Sequence, residues 1–177
     1  MKKLSTLTFT PCGGGREIGA NSYLIRVNGH EVLLDCGLHP KKEGTSSLPD
    51  LSLLRRAPDS VLISHAHVDH CGAVPELLKQ FPSTVPYATQ ATVRVMDRML
   101  HNSVAVMRAM ATERGISEYP LYWHEDVDFA VESVNGMAPG EEFDVVPDGS
   151  VSACFQHAGH VLGSASEIGR ASCRERV

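Results

Sequence analysis

Four potential metal ligands fall within six residues, in the run His65-Ala66-His67-Val68-Asp69-His70. Imidazole nitrogens and a carboxylate oxygen suit zinc and similar borderline cations. The run follows the apolar stretch Ser60-Val61-Leu62-Ile63, so it reads as a strand end passing into a loop. In an extended segment, residues two apart project to the same side, which lets His65 and His67 grip one ion. Asp69 lies on that side too, a little farther along. His70 follows at once, where a new helix can begin, and can turn toward a second ion. The arrangement differs from the helical HExxH pattern, whose histidines sit four apart on one face.

Catalytic zinc commonly takes three protein ligands plus water, so a further ligand must come from elsewhere in the chain. His160 is the best candidate. It lies in His157-Ala158-Gly159-His160-Val161-Leu162-Gly163-Ser164-Ala165, between Gly159 and the Val161-Leu162-Gly163 turn. His157 reads as a support or surface residue and stands outside the metal set.

The elements that must position these residues are short. Residues 6–10 alternate as a strand, and Ser22–Val27 and Glu31–Leu34 flank Asn28-Gly29, a strong hairpin signal. A short helix is expected over Leu48–Arg56, a buried strand over Ser60–Ile63, a helix from Pro75 to Gln80 and a strand over Val85–Ala88. The longest helical pattern runs from Thr89 to Ala111, where Val93, Met96, Leu100, Val104 and Met107 recur at three and four as a packing stripe. Pro120–Val131 reads as a loop entering a helix. Phe143–Val146 and Val151–Phe155 read as strands around Pro147-Asp148-Gly149. Strands followed by interleaved helices and strands imply an α/β layered fold, with polar loops converging at the strand ends.

The 177 residues are 42% hydrophobic and 21% charged, enough for one globular core. No stretch approaches a transmembrane run, and Leu4–Thr8 is too polar and short for a signal segment, so a cytoplasmic location is expected with no membrane partner. The five cysteines form no CxxC pair, and Cys36 and Cys71 read as small buried fillers beside Asp35 and His70. A net charge of −5, with no basic stripe, does not advertise nucleic-acid binding, and the stretch alone would bind RNA weakly.

The motifs together resemble the metallo-β-lactamase superfamily and, within it, the β-CASP nuclease branch of RNase J-type and cleavage-and-polyadenylation endonucleases. The HxHxDH run carries the resemblance. Leu33-Leu34-Asp35-Cys36-Gly37-Leu38-His39-Pro40 resembles the family's first motif, and His157–Ala165 its HAGHxLGSA motif. Thr10–Gly19 resembles the Gly-rich opening, and Pro120–Val131 a further β-CASP segment. The resemblance implies an αββα sandwich, here truncated to about its first half. It implies two zinc ions, with His65, His67 and His160 on the first and Asp69 and His70 on the second. Asp35 would hold a ligand histidine in its tautomer, as such partners do. His39 would line the site mouth.

Two metals about 3.5–4 Å apart bring water toward a pKa of ~7, neutralise a phosphate oxygen and clamp an in-line displacement. Asp69 would be the catalytic group, orienting the attacking water or accepting its proton. The leading expectation is a zinc-dependent phosphodiester hydrolase acting on RNA. The alternatives are a small-molecule hydrolase of glyoxalase-II type acting on a thioester, and an inactive metal-binding fragment.

The family pattern calls for more chain: a bridging aspartate, an insert and a late histidine. Residues 1–166 are therefore expected to be the N-terminal part of the metallo-β-lactamase domain, poorly stable alone, with an exposed apolar sheet face and an unpaired edge. Homo- or hetero-oligomers would form through the missing region. Residues 167–177 are expected to be a non-native or disordered tail that breaks the strand.

Overall fold

The computed structural model describes residues 6–171. Its first sheet grows from a hairpin. Strand β1 (Thr8–Gly13) pairs antiparallel with β2 (Ser22–Val27), which pairs antiparallel with β3 (His30–Leu34). Asn28 and Gly29 between them have φ of 52° and 84°, the left-handed values a tight two-residue hairpin turn demands.

The chain then switches to parallel crossovers. β4 (Ser60–Ile63), β5 (Val85–Thr89) and β6 (Asn135–Met137) extend the sheet in the order β1-β2-β3-β4-β5-β6. Helices α1 (Val68–Cys71) and α2 (Val74–Gln80) connect β4 to β5. Helices α3 (Gln90–Arg114) and α4 (His124–Ser133) connect β5 to β6. Thr89 caps α3 by accepting from the Thr92 N–H, and Gly115, at φ 68°, ends it. Met96, Leu100, Val104 and Met107 are buried, as a stripe at helical spacing requires. No helix of the described residues is long and apolar enough to cross a membrane.

The helix expected over Leu48–Arg56 is absent; a short 3-10 turn, Leu51–Leu53, stands there, and another, Gly44–Ser47, precedes it. Pro49 accounts for the difference. It lacks an N–H and disfavours helical backbone before it, and Leu48 is extended at ψ 152°. Asp50 then caps the second turn through the Ser52 N–H.

A second, antiparallel sheet follows: β7 (Glu142–Asp144), β8 (Val151–His157) and β9 (Ala165–Ala171). Its apolar side lies on the first sheet. Val145, Val151, Ala153 and Phe155 pack with Val27, Val32 and Leu62, while Val61 and Ile63 point to the helices. Phe155 is fully buried, and Phe143 stacks on Tyr87 of β5 with centroids 5.1 Å apart.

Two expectations need correction. The sheet face expected to be exposed is covered over its centre by β7–β9; Leu7 and Phe9 at the β1 edge stay open. The chain also continues as a strand past Ser166. Glu167 to Ala171 pair with Phe155 back to Val151, because main-chain groups along β8 accept a partner whatever its side-chain polarity. The rest of the expected tail, residues 172–177, lies outside the described residues.

Candidate metal centre

The site forms where β4 ends. His65 follows Ser64, and His67 is still extended, at φ −68° and ψ 143°, immediately before α1. That short helix turns Asp69 and His70 back toward the strand end. The segment after β3 holds this turn from behind: Cys36 N–H donates to the His70 carbonyl, and Leu38 N–H to the Val68 carbonyl. Gly37 permits the approach, since a Cβ there would sit 1.8 Å from the Asp69 carbonyl oxygen.

His160 comes from the other layer, on the β8–β9 loop. Ser164 Oγ accepts from the His160 and Val161 N–H groups, at 3.0 and 3.1 Å. The Gly163 carbonyl accepts from the Thr89 and Thr92 hydroxyls, at 2.7 and 2.9 Å. Ala165 N–H donates to the Ser64 carbonyl, tying this loop directly to the residue before His65.

Three nitrogens meet as a result. His65 Nε2 is 3.1 Å from His67 Nδ1, which is 3.4 Å from His160 Nε2. The three donor atoms lie within 4.8 Å of one another. Metal–nitrogen bonds of about 2.0–2.1 Å at tetrahedral angles place donor nitrogens about 3.3–3.4 Å apart, and the two spacings about His67 Nδ1 are close to that, as one zinc-type ion would need. His65 is buried while His67 and His160 are exposed, leaving the group open to solvent on one side.

Asp69 and His70 stand beside this group. Asp69 Oδ2 is 3.6 Å from His70 Nε2, and the His65 and His70 ring centroids are 4.1 Å apart. Asp35, with φ 56°, sits behind both positions. Its Oδ2 accepts from His70 Nδ1–H at 2.7 Å and from the Ser64 hydroxyl at 2.9 Å, and its Oδ1 accepts from the Ser64 N–H at 2.8 Å. Ser64 Oγ in turn accepts from His65 Nδ1–H at 2.9 Å. One carboxylate thus makes Nε2 the unprotonated nitrogen of both His65 and His70, the form that binds a cation.

The electrostatics agree. Burial, reinforced by the neighbouring His70, lowers the His65 pKa to about 4, so it is neutral near pH 7. Burial also opposes protonation of His70, but the hydrogen bond and charge of Asp35, with the charge of Asp69, outweigh it and raise its pKa. Glu167 of β9 carries an unpartnered buried Oε1; burial, then the Asp35 charge, pushes its carboxyl well up.

The structure therefore brings together His65, His67 and His160, sets Asp69 and His70 beside them, and places Asp35 behind. His157 is exposed at the end of β8. His39 is buried in the loop after β3, where its Nε2 lies 3.4 Å from Glu17. Cys36 and Cys71 are buried, and burial pushes both thiols above their ordinary range, as filler residues require. Sequence reading missed Ser64, Asn21 and Tyr23. Ser64 adjoins the histidine run, but Asn21 and Tyr23 carry no local signal; the β2–β3 pairing and the main-chain bonds of Asn21 to Asp69 and Gly37 bring them to the site.

Comparisons with known proteins speak to family and fold. The profile described as Metallo-beta-lactamase superfamily matches residues 15–153. Ribonuclease TTHA0252 of Thermus thermophilus is 31% identical over 97% of this chain and 37% of its own length. Cleavage and polyadenylation specificity factor 73 of Drosophila melanogaster is 33% identical over 90% of this chain and 22% of its own length. Endoribonuclease YSH1 of Saccharomyces cerevisiae is 30% identical over 93% and 22%. The chain thus spans well under half the length of these curated relatives. Among solved structures, the archaeal metallo-beta-lactamase superfamily protein ST1585 from Sulfolobus tokodaii superposes with TM-score 0.54 at 19% identity, over 94% of this chain and 61% of that one. A Cronobacter sakazakii metallo-beta-lactamase mutant gives TM-score 0.56 at 19% identity, over 92% and 56%. At that identity, the likeness is one of fold.

Proposed function

The chain belongs to the metallo-beta-lactamase superfamily, and from that premise we propose that it is part of a metal-dependent ribonuclease of the β-CASP branch. The observation that carries the reading is the convergence of His65 Nε2, His67 Nδ1 and His160 Nε2 from two layers of the fold. These three histidines hold the first cation, and Asp69 and His70 offer donors to a second. Zinc suits the donor set, which is rich in imidazole and lacks thiolate. Bound there, such cations supply positive charge for a phosphoryl oxygen and make water acidic near neutral pH.

The chain's own residues do the rest. Asp35 fixes the His70 tautomer directly and that of His65 through Ser64. The Asp69 carboxylate orients the attacking water and accepts its proton. Water oxygen bonds to phosphorus as the phosphorus–oxygen bond to the leaving nucleotide breaks. RNA is the proposed substrate because relatives matched over more than nine tenths of this chain, ribonuclease TTHA0252 and the Saccharomyces cerevisiae endoribonuclease YSH1, carry ribonuclease names. The thioesterase reading has no such support. A cytoplasmic location is part of the proposal, supported by the free state of Cys12, Cys36, Cys71 and Cys154 among the described residues.

The test is a zinc titration paired with cleavage assays on end-labelled single-stranded RNA and on a glutathione thioester. Zinc-dependent RNA cleavage that is lost in His160→Ala is expected. Thioester hydrolysis without RNA cleavage, or failure to bind zinc, would overturn the reading.

A further inference from the structure

Asn21 lies where β2 approaches the site, and its carboxamide does something the metal chemistry does not require. Its Nδ2 is 3.0 Å from the Asp69 carbonyl oxygen, 3.3 Å from Asp69 Oδ2 and 3.1 Å from His70 Nε2. The orientation of the amide is fixed by chemistry. A carbonyl and a carboxylate only accept, so the nitrogen must face them, and Oδ1 accepts from the Tyr23 hydroxyl at 3.2 Å. Tyr23 is held in turn by stacking on Phe9, with centroids 5.4 Å apart. The Gly-rich loop closes over the other side. A Cβ on Gly14 would meet Asn21 Oδ1 at 2.6 Å and the Tyr23 hydroxyl at 2.7 Å.

Asp69 Oδ2 and His70 Nε2 are the two donors offered to the second cation. Both are engaged by this one amide nitrogen, which brings partial positive charge to the space they share. Among the described residues no amide stands so between His65, His67 and His160, whose nitrogens face one another.

We propose that Asn21 is a built-in stand-in for the second cation and makes filling of the two positions sequential. The three-histidine position fills without displacing an amide. The Asp69–His70 position fills only when the carboxamide turns away and surrenders its hydrogen bonds. Tyr23 and the loop at Gly14 set the resistance to that turn. The inference rests on the proposed assignment of Asp69 and His70 to a second ion.

The experiment is calorimetric titration of the full chain with zinc, repeated with cobalt(II) and followed by absorption, on the parent, Asn21→Ala and Tyr23→Phe. Neither substitution touches the main-chain bonds that Asn21 makes to Asp69 and Gly37. First-ion affinity should be unchanged, which also reports an intact fold. Second-ion affinity should rise about tenfold or more in Asn21→Ala, the scale of freeing acceptors from charge-assisted hydrogen bonds. Tyr23→Phe should raise it in the same direction, by less. An unchanged second affinity in Asn21→Ala would overturn the proposal, and a weaker one would do so by making Asn21 a ligand. If His70→Ala added to Asn21→Ala leaves the second ion bound, the assignment of Asp69 and His70 fails instead.

Discussion

Replacing Asp35 with asparagine should separate metal binding from folding. The carboxylate accepts three hydrogen bonds, from the Ser64 N–H, the Ser64 hydroxyl and His70 Nδ1–H. Asparagine is close to isosteric and tolerates the left-handed backbone at φ 56°. Its oxygen can keep the Ser64 N–H, and the Ser64 hydroxyl can turn to accept from the new amide. The bond to His70 cannot survive, because an NH2 group would face Nδ1–H. One hydrogen bond to a charged group is lost, about 1.5–3 kcal/mol of stability. Asp35→Ala strips all three partners and should cost about 3–5 kcal/mol, the range for orphaning buried polar partners.

The metal consequence is larger. To accept from asparagine, His70 must move its proton from Nδ1 to Nε2, and Nε2 then has no lone pair for a cation. Affinity at the Asp69–His70 position should fall about 10- to 100-fold, as for other lost supports of ligand histidines. The three-histidine position should fall less, because Asp35 reaches His65 only through Ser64. Urea unfolding gives the first quantity, and zinc competition against a chromophoric chelator gives the second. An asparagine variant that binds both ions like the parent would refute the tautomer reasoning.

Gly37→Ala should destabilise the fold by about 2–3 kcal/mol, because its Cβ would press on main-chain atoms of Asp69 and His70 that have nowhere to retreat; thermal melting checks it. In the metal-free protein, His65 has a folded pKa of about 4 against about 6.5 unfolded. The unfolded chain therefore takes up this proton first, and stability should fall as pH drops from 6.5 toward 4, by up to about 3 kcal/mol. His70, with its pKa raised, acts on the other side: its contribution is present below about pH 6.5 and is lost as pH climbs through the folded value. Urea midpoints across pH 4.5–8 should peak between the two, and a flat profile would contradict both assignments.

What could be read from sequence was what local pattern controls. The alternation and turn chemistry around Asn28-Gly29 located the β2–β3 hairpin, and the stripe from Val93 to Met107 located α3. The histidine run after an apolar strand located most of the site, and the glycines around His160 marked the loop that completes it. Elsewhere, tertiary partners decided the outcome. Asn135-Gly136-Met137 has no strand pattern and becomes β6 because it lies parallel to Tyr87–Thr89. Glu167–Ala171 is polar and becomes β9 because β8 offers it a ladder. Leu48–Arg56 had helical composition, but Pro49 overrode it. Asn21 was invisible because its neighbour in space, Asp69, is 48 positions away.

The placement of His160 has a consequence for the order in which a ribosome makes the chain. Its nearest partner nitrogen, on His67, belongs to a residue translated 93 positions earlier. Until β8 and β9 dock, an emerging polypeptide displays only an incomplete claw. The three-nitrogen cluster therefore cannot assemble until position 160 has left the ribosome.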